Sequence, residues 1–98
     1  MNIIKNGDGE KLIIALDGRL DTTTSPELEA TLSEALEGVT DFELNLEKLA
    51  YISSAGLRIL LNAQKRMNKQ GKMKLTNVSE DIMDIFEITG FAGILTIE

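Results

Sequence analysis

Hydrophobic positions along this chain switch between a two-residue and a 3.6-residue period, and each switch marks a change of element. Ile3 and Ile4, then Leu12, Ile13, Ile14 and Leu16, predict two strands. Asn6-Gly7-Asp8-Gly9 supplies the turn between them, since its glycines permit positive φ. Thr24-Ser25-Pro26-Glu27 then predicts a helix start, with a hydroxyl N-cap, a proline pre-set for the first turn and a capping box between Thr24 and Glu27. Leu28, Leu32, Ala35 and Leu36 fall on one face of that helix, and Gly38 is placed to end it.

Phe42, Leu44 and Leu46 alternate with Glu43 and Asn45, which predicts a third strand, followed by a short connection. The longest helix is expected over residues 54–70, with Leu57, Leu60, Leu61 and Gln64 on one face. Lys65, Arg66 and Lys69 gather before Gly71, where cations suit the negative end of the dipole. Met73 and Leu75 read as a fourth strand, Ser79 as the cap of a third helix closed by Gly90, and residues 94–97 as a final short strand. The order is ββαβαβαβ. It predicts an α/β fold: a small mixed sheet whose helix-linked strands run parallel through right-handed crossovers, with the helices packed against it.

Composition narrows the function. At 98 residues, 43% of them hydrophobic, the chain suits one domain spanning residues 1–98 that folds around its own core. Cysteine and histidine are both missing, which excludes disulfides, thiolate zinc sites, cysteine nucleophiles and imidazole bases. There is no Gly-x-Gly-x-x-Gly after a strand and no phosphate-binding P-loop, so neither an enzyme nor a bound cofactor or metal is expected. A net charge of -6 repels phosphate backbones, which argues against direct nucleic-acid binding and suits a partner with a basic face. No apolar run is long enough to span a bilayer and no signal-peptide plan opens the chain, so a cytoplasmic protein without membrane attachment is expected, as a monomer or weak dimer.

Candidate chemistry collects in Tyr51-Ile52-Ser53-Ser54-Ala55-Gly56-Leu57-Arg58, where a strand region meets the long helix. In open α/β sheets functional groups gather at the carboxyl ends of strands, where a helix N-terminus presents free N–H groups and partial positive charge. A phosphate on Ser54 would be electrostatically welcome there. Serine is also a preferred N-cap, so capping accounts for one of the two hydroxyls without any further role. Gly56, costly in a first helical turn, fits either the close approach of a partner's backbone or packing of the helix on the sheet. Arg58 shares a face with Ser54 and either pairs with an acidic group or phosphate there or is simply solvated. Met83, Phe86 and Phe91 fit either an exposed contact patch or, at helical spacing, the core.

Taken in order, Gly18-Arg19-Leu20-Asp21, Leu44-Asn45-Leu46-Glu47, Tyr51 to Leu57 with Leu60 and Leu61, and Gly71 before a strand resemble the anti-sigma-factor antagonist family, whose fold is the STAS domain. The resemblance covers nearly the whole chain. It implies that Ser54 is the serine phosphorylated by a partner anti-sigma factor acting as a kinase, with Ala55 and Gly56 completing the motif. Ser53 stands where the family usually has aspartate. Asp21 matches a carboxylate that lies near the phosphorylated serine, although an Asx-type turn or a cap before Thr22 explains it as well. The implied function is to occupy the anti-sigma factor when unphosphorylated, so that a sigma factor is released, through a surface of Asp21, Thr22, Ser53, Ser54, Ala55, Gly56 and Arg58. The alternative is a sensing or scaffold module of the same fold that binds a small ligand or another regulatory protein.

Overall fold

Asp8 pairs with Lys11, so β1 (Asn2–Asp8) and β2 (Lys11–Leu20) form a hairpin whose loop is only Gly9-Glu10. The turn therefore lies later than the Asn6–Gly9 run suggested, and Gly9 carries the positive φ of 63° that it needs. The computed structural model describes all of residues 1–98. After β2 come α1 (Ser25–Ala35), β3 (Asp41–Ile52), α2 (Ser54–Gln70), β4 (Lys72–Thr76) and α3 (Glu80–Thr89).

The sheet has the order β1-β2-β3-β4, antiparallel between β1 and β2 and parallel thereafter. Each parallel pair is joined through one helix, which a parallel connection requires. Leu12, Ile14 and Leu16 of β2, Phe42, Leu44 and Leu46 of β3, and Met73 and Leu75 of β4 are all buried. Their alternate neighbours are half-exposed, so one face of the sheet makes the core and the other stays open. Leu28 and Leu32 of α1, Leu57, Leu60 and Met67 of α2, and Ile82 and Phe86 of α3 complete one cluster of 23 buried residues. Phe86 is fully buried and Met83 and Phe91 are partly buried against the same cluster, so these three belong to the core. No helix is long and apolar enough to cross a membrane.

Four expectations need correction. The third strand ends at Ile52, shortly before Ser54 as expected, but it runs unbroken past the Phe42–Leu46 alternation, so Ser53 alone stands where a short connection was expected before α2. Two irregularities interrupt the pairing of β2 with β3 along this stretch: Ala15 faces Asn45 but Asp17 faces Lys48, and Gly18 faces Leu49 but Arg19 faces Tyr51. Each inserts an extra residue in β3, which resets the inward face and turns a period of two into Leu46, Leu49 and Ile52. The final strand shrinks to one bridge between Leu75 and Ile97, and residues 91–93 before it form a 3₁₀ turn. Thr24 occupies the cap position of α1 but makes no side-chain cap, and its hydroxyl is engaged in the loop before the helix. Along α2, Leu61 is only half-buried, while Ile59, Ala63 and Met67 join Leu57, Leu60 and Gln64 inside.

Candidate functional site

The site is built where β2 and β3 end side by side. Leu20 pairs with Ile52, and one residue further the Ser53 N–H donates to the Leu20 carbonyl at 2.8 Å. The two chains then part, β2 into the Asp21 loop and β3 into the first turn of α2.

Ser53 is the N-cap of α2: its backbone is extended and its Oγ accepts from the Gly56 N–H at 3.2 Å. Ser54 is the first helical residue, exposed, and its hydroxyl is engaged in no hydrogen bond within the chain. The two hydroxyls thus divide, one closing the helix and the other facing solvent at the positive end of a 17-residue helix. Gly56 is buried beneath them. A Cβ there would lie 2.8 Å from Leu20 Cγ and 2.9 Å from Ile52 Cγ1, so close packing of helix on sheet requires this glycine.

Asp21 folds its own loop. Its Oδ1 accepts from the N–H groups of Thr23 and Thr24, each at 3.0 Å, and the Asp21 N–H donates to Thr24 Oγ1 at 2.9 Å. The Thr24 hydroxyl lies 2.7 Å from the Arg19 carbonyl, and Ser25 donates both its N–H and its hydroxyl to the Asp21 carbonyl. This is the Asx-type turn that the sequence allowed. The Thr24 N–H bond is the main reason that the Asp21 carboxyl titrates below its ordinary value, with the Thr24 hydroxyl, the Thr23 N–H and Arg19 adding to the effect against some desolvation.

Thr22 is exposed at the loop tip and lines a shallow depression with Pro26 and Glu29 of α1 and Ala55, Arg58 and Ile59 of α2. Arg58 is exposed and forms no ion pair. The structure therefore brings Asp21, Thr22, Ser53, Ser54, Ala55 and Arg58 to one end of the molecule and places Gly56 behind them.

Two residues here went unnoticed in the sequence. Arg19 faces Tyr51 across β2 and β3, its guanidinium carbon 4.4 Å from the ring centre, while its Nε lies 3.8 Å from Asp21 Oδ2. Both stand within the stretches that carry the family resemblance, yet only the strand register brings them together.

The STAS domain model matches residues 2–98 of this chain. The chain belongs to the STAS domain family. Among relatives of known name, the putative anti-sigma factor antagonist BtrV of Bordetella bronchiseptica is 35% identical over 88 residues, which is 88% of this chain and 76% of that protein. The anti-sigma-B factor antagonist of Staphylococcus aureus is 34% identical over 84 residues, 84% of this chain and 78% of that one. In structure, the Bacillus cell fate determinant SpoIIAA in its phosphorylated form superposes with a TM-score of 0.77 at 23% identity, over 99% of this chain and 91% of that chain, which establishes a common fold. A STAS fold thus places the Ser53-Ser54 pair and the Asp21 loop at the same end of its sheet.

Proposed function

We propose that this STAS domain is an anti-sigma-factor antagonist, a binding regulator rather than an enzyme, acting in the cytoplasm. Unphosphorylated, it occupies an anti-sigma factor that is also a serine kinase, and a sigma factor is released. Phosphorylation of Ser54 ends the complex. Two relatives at 34% and 35% identity are anti-sigma factor antagonists by name, which supports the class of partner.

The single observation that carries the switch is the division of labour between the two serines. Because Ser53 caps α2, Ser54 is free of structural duty and its hydroxyl is open to a kinase. A phosphate there adds about 1.5 to 2 negative charges at a helix N-terminus, which the dipole tolerates, so the fold stays intact and the change is felt at the surface. Ser53 also explains how the chain does without the family's aspartate. Its hydroxyl caps α2, as a carboxylate at that position also could, so the departure leaves the helix start intact. The partner surface in this reading consists of Asp21, Thr22, Ser53, Ser54, Ala55 and Arg58, with Gly56 holding the helix end down on the sheet.

The test is to incubate the purified chain with the kinase-type anti-sigma factor of the same cell and ATP, and to map the modified residue by peptide mass. One phosphate on Ser54 with loss of the complex is expected. Modification of Ser53 instead, or none, overturns the reading.

A further inference from the structure

Arg19 is exposed, with 62% of its side chain open to solvent, yet it is restrained on two sides. Its guanidinium lies over the Tyr51 ring at 4.4 Å, and its Nε stands 3.8 Å from Asp21 Oδ2. Neither contact uses one of its N–H donors in a hydrogen bond. The Asp21 carboxylate has its other oxygen committed to the Thr23 and Thr24 N–H groups, so it holds Arg19 nearby without pairing with it fully. Tyr51 is itself one of only four large hydrophobic side chains exposed on this surface, at 37%.

The strand irregularity between Gly18 and Arg19 produces this arrangement. It puts Tyr51, rather than Ala50, opposite Arg19, one residue before the core residue Ile52 and two before the cap of α2. An aromatic face and a planar cation are thereby set side by side next to the Ser53-Ser54 junction.

The geometry points to Arg19 and Tyr51 as a pre-organised anchor that receives a carboxylate side chain of the anti-sigma factor. The inference rests on the function proposed above and adds two residues to its partner surface. An arginine fork with all of its donors unspent matches a carboxylate in two-point geometry, and stacking on the ring removes much of the side-chain freedom that binding would otherwise have to freeze out. Tyrosine and arginine are also the residue types on which binding energy concentrates at protein interfaces. In a chain of net charge -6, a guanidinium only loosely paired with Asp21 and with its N–H donors free is a local exception to the overall field, and it selects an acidic group opposite it.

The probe is the anti-sigma factor kinase used above, titrated calorimetrically into unphosphorylated wild type, Arg19→Lys, Tyr51→Leu, Tyr51→Phe and the Arg19→Lys/Tyr51→Leu double variant. Circular dichroism and the rate of Ser54 phosphorylation are followed in parallel. Arg19→Lys keeps the charge but loses the planar fork, and Tyr51→Leu keeps apolar bulk but loses the ring. Each is expected to weaken binding about tenfold or more, the double variant little more than either single one because the two act as a unit, and Tyr51→Phe less than about threefold. Losses that add fully, or folded single variants that bind as wild type does, overturn the anchor while leaving the proposed function standing. Retained binding of Arg19→Lys in the unphosphorylated form, with restored binding of its Ser54-phosphorylated form, assigns the guanidinium to the phosphate instead and likewise overturns it. Failure of wild type itself to bind removes the proposed function and the anchor together.

Discussion

The Ser53 N–H donates to the Leu20 carbonyl at 2.8 Å, and this bond carries the pairing of β2 and β3 up to the first residue of the helix cap. Everything beyond it depends on how closely α2 can sit on the two strand ends. Gly56 sets that distance, since a methyl group there would press on Leu20 and Ile52, both buried. Gly56→Ala is therefore expected to lower stability although alanine is the better helix former. Overpacking a core costs about 1–3 kcal/mol, against about 1 kcal/mol gained in helix propensity. Urea unfolding of the two proteins checks this, and an unchanged or higher midpoint contradicts the packing account.

The two serines should separate cleanly in stability. Ser53→Ala removes the acceptor for the Gly56 N–H and is expected to cost about 0.5–2 kcal/mol. Ser54→Ala removes a hydroxyl with no partner in the chain and should stay within about 0.5 kcal/mol of wild type. Thermal unfolding distinguishes them, and the reverse order would exchange their roles.

The same junction shows how much the sequence discloses. Ser54 at the start of the long helix was legible because a capping serine, a following helical stripe and a preceding apolar run are all local signals. The inward face of β3 beyond Leu46 was not, because its bulges turn Leu46, Leu49 and Ile52 into a spacing that no regular strand shows. Thr24 looked like a helix cap, and three residues earlier Asp21 had already claimed its hydroxyl for the loop. Arg19 and Tyr51 are 32 positions apart in the numbering, and only a shifted strand register makes them neighbours. Local chemistry could be read directly, whereas contacts set by long-range pairing could not.

Asp21 should show its role through charge and shape separately. Its folded-state pKa is depressed, so the stability that ionisation adds is fully present above its ordinary value of 3.8 and is lost as pH falls through the lower folded value. Asp21→Asn keeps an oxygen for the Thr23 and Thr24 N–H groups and removes only the charge, whereas Asp21→Ala removes both. At pH 7 the expected order of stability is wild type, then Asn, then Ala, and the gap between wild type and Asn should narrow as the solution is acidified below about pH 4. A gap that widens in acid would contradict the assignment.

Gln64 is buried in mid-α2, where its side-chain oxygen accepts from the Thr96 N–H at 3.2 Å and its amide donates to Asn68 Oδ1 at 2.9 Å. It ties the C-terminal segment to the helix while Leu75 holds the same segment through bonds with Thr96 and Glu98. Gln64→Leu, close in volume but without the acceptor, is expected to cost about 1 kcal/mol and to fray that segment first. Hydrogen exchange should quicken at the Leu75 and Glu98 amides and stay unchanged in the β2–β3 ladder. Uniform acceleration throughout would instead mean that Gln64 supports the whole core.

The central claim is that charge at Ser54 alone separates the antagonist from its anti-sigma factor. Aspartate at a helix N-terminus suits the dipole, so Ser54→Asp should fold as wild type does, and any lost affinity arises at the interface. Leaving an unpaired charge buried there commonly costs several kcal/mol, on the order of a hundredfold or more in Kd. The decisive measurement is a calorimetric titration of the anti-sigma factor with wild type, Ser54→Ala and Ser54→Asp, each confirmed as folded by circular dichroism. The account predicts that Ser54→Ala binds as wild type does and Ser54→Asp binds at least about a hundredfold more weakly. Equal affinity for all three, with Ser54 left unmodified by the partner and ATP, would contradict it.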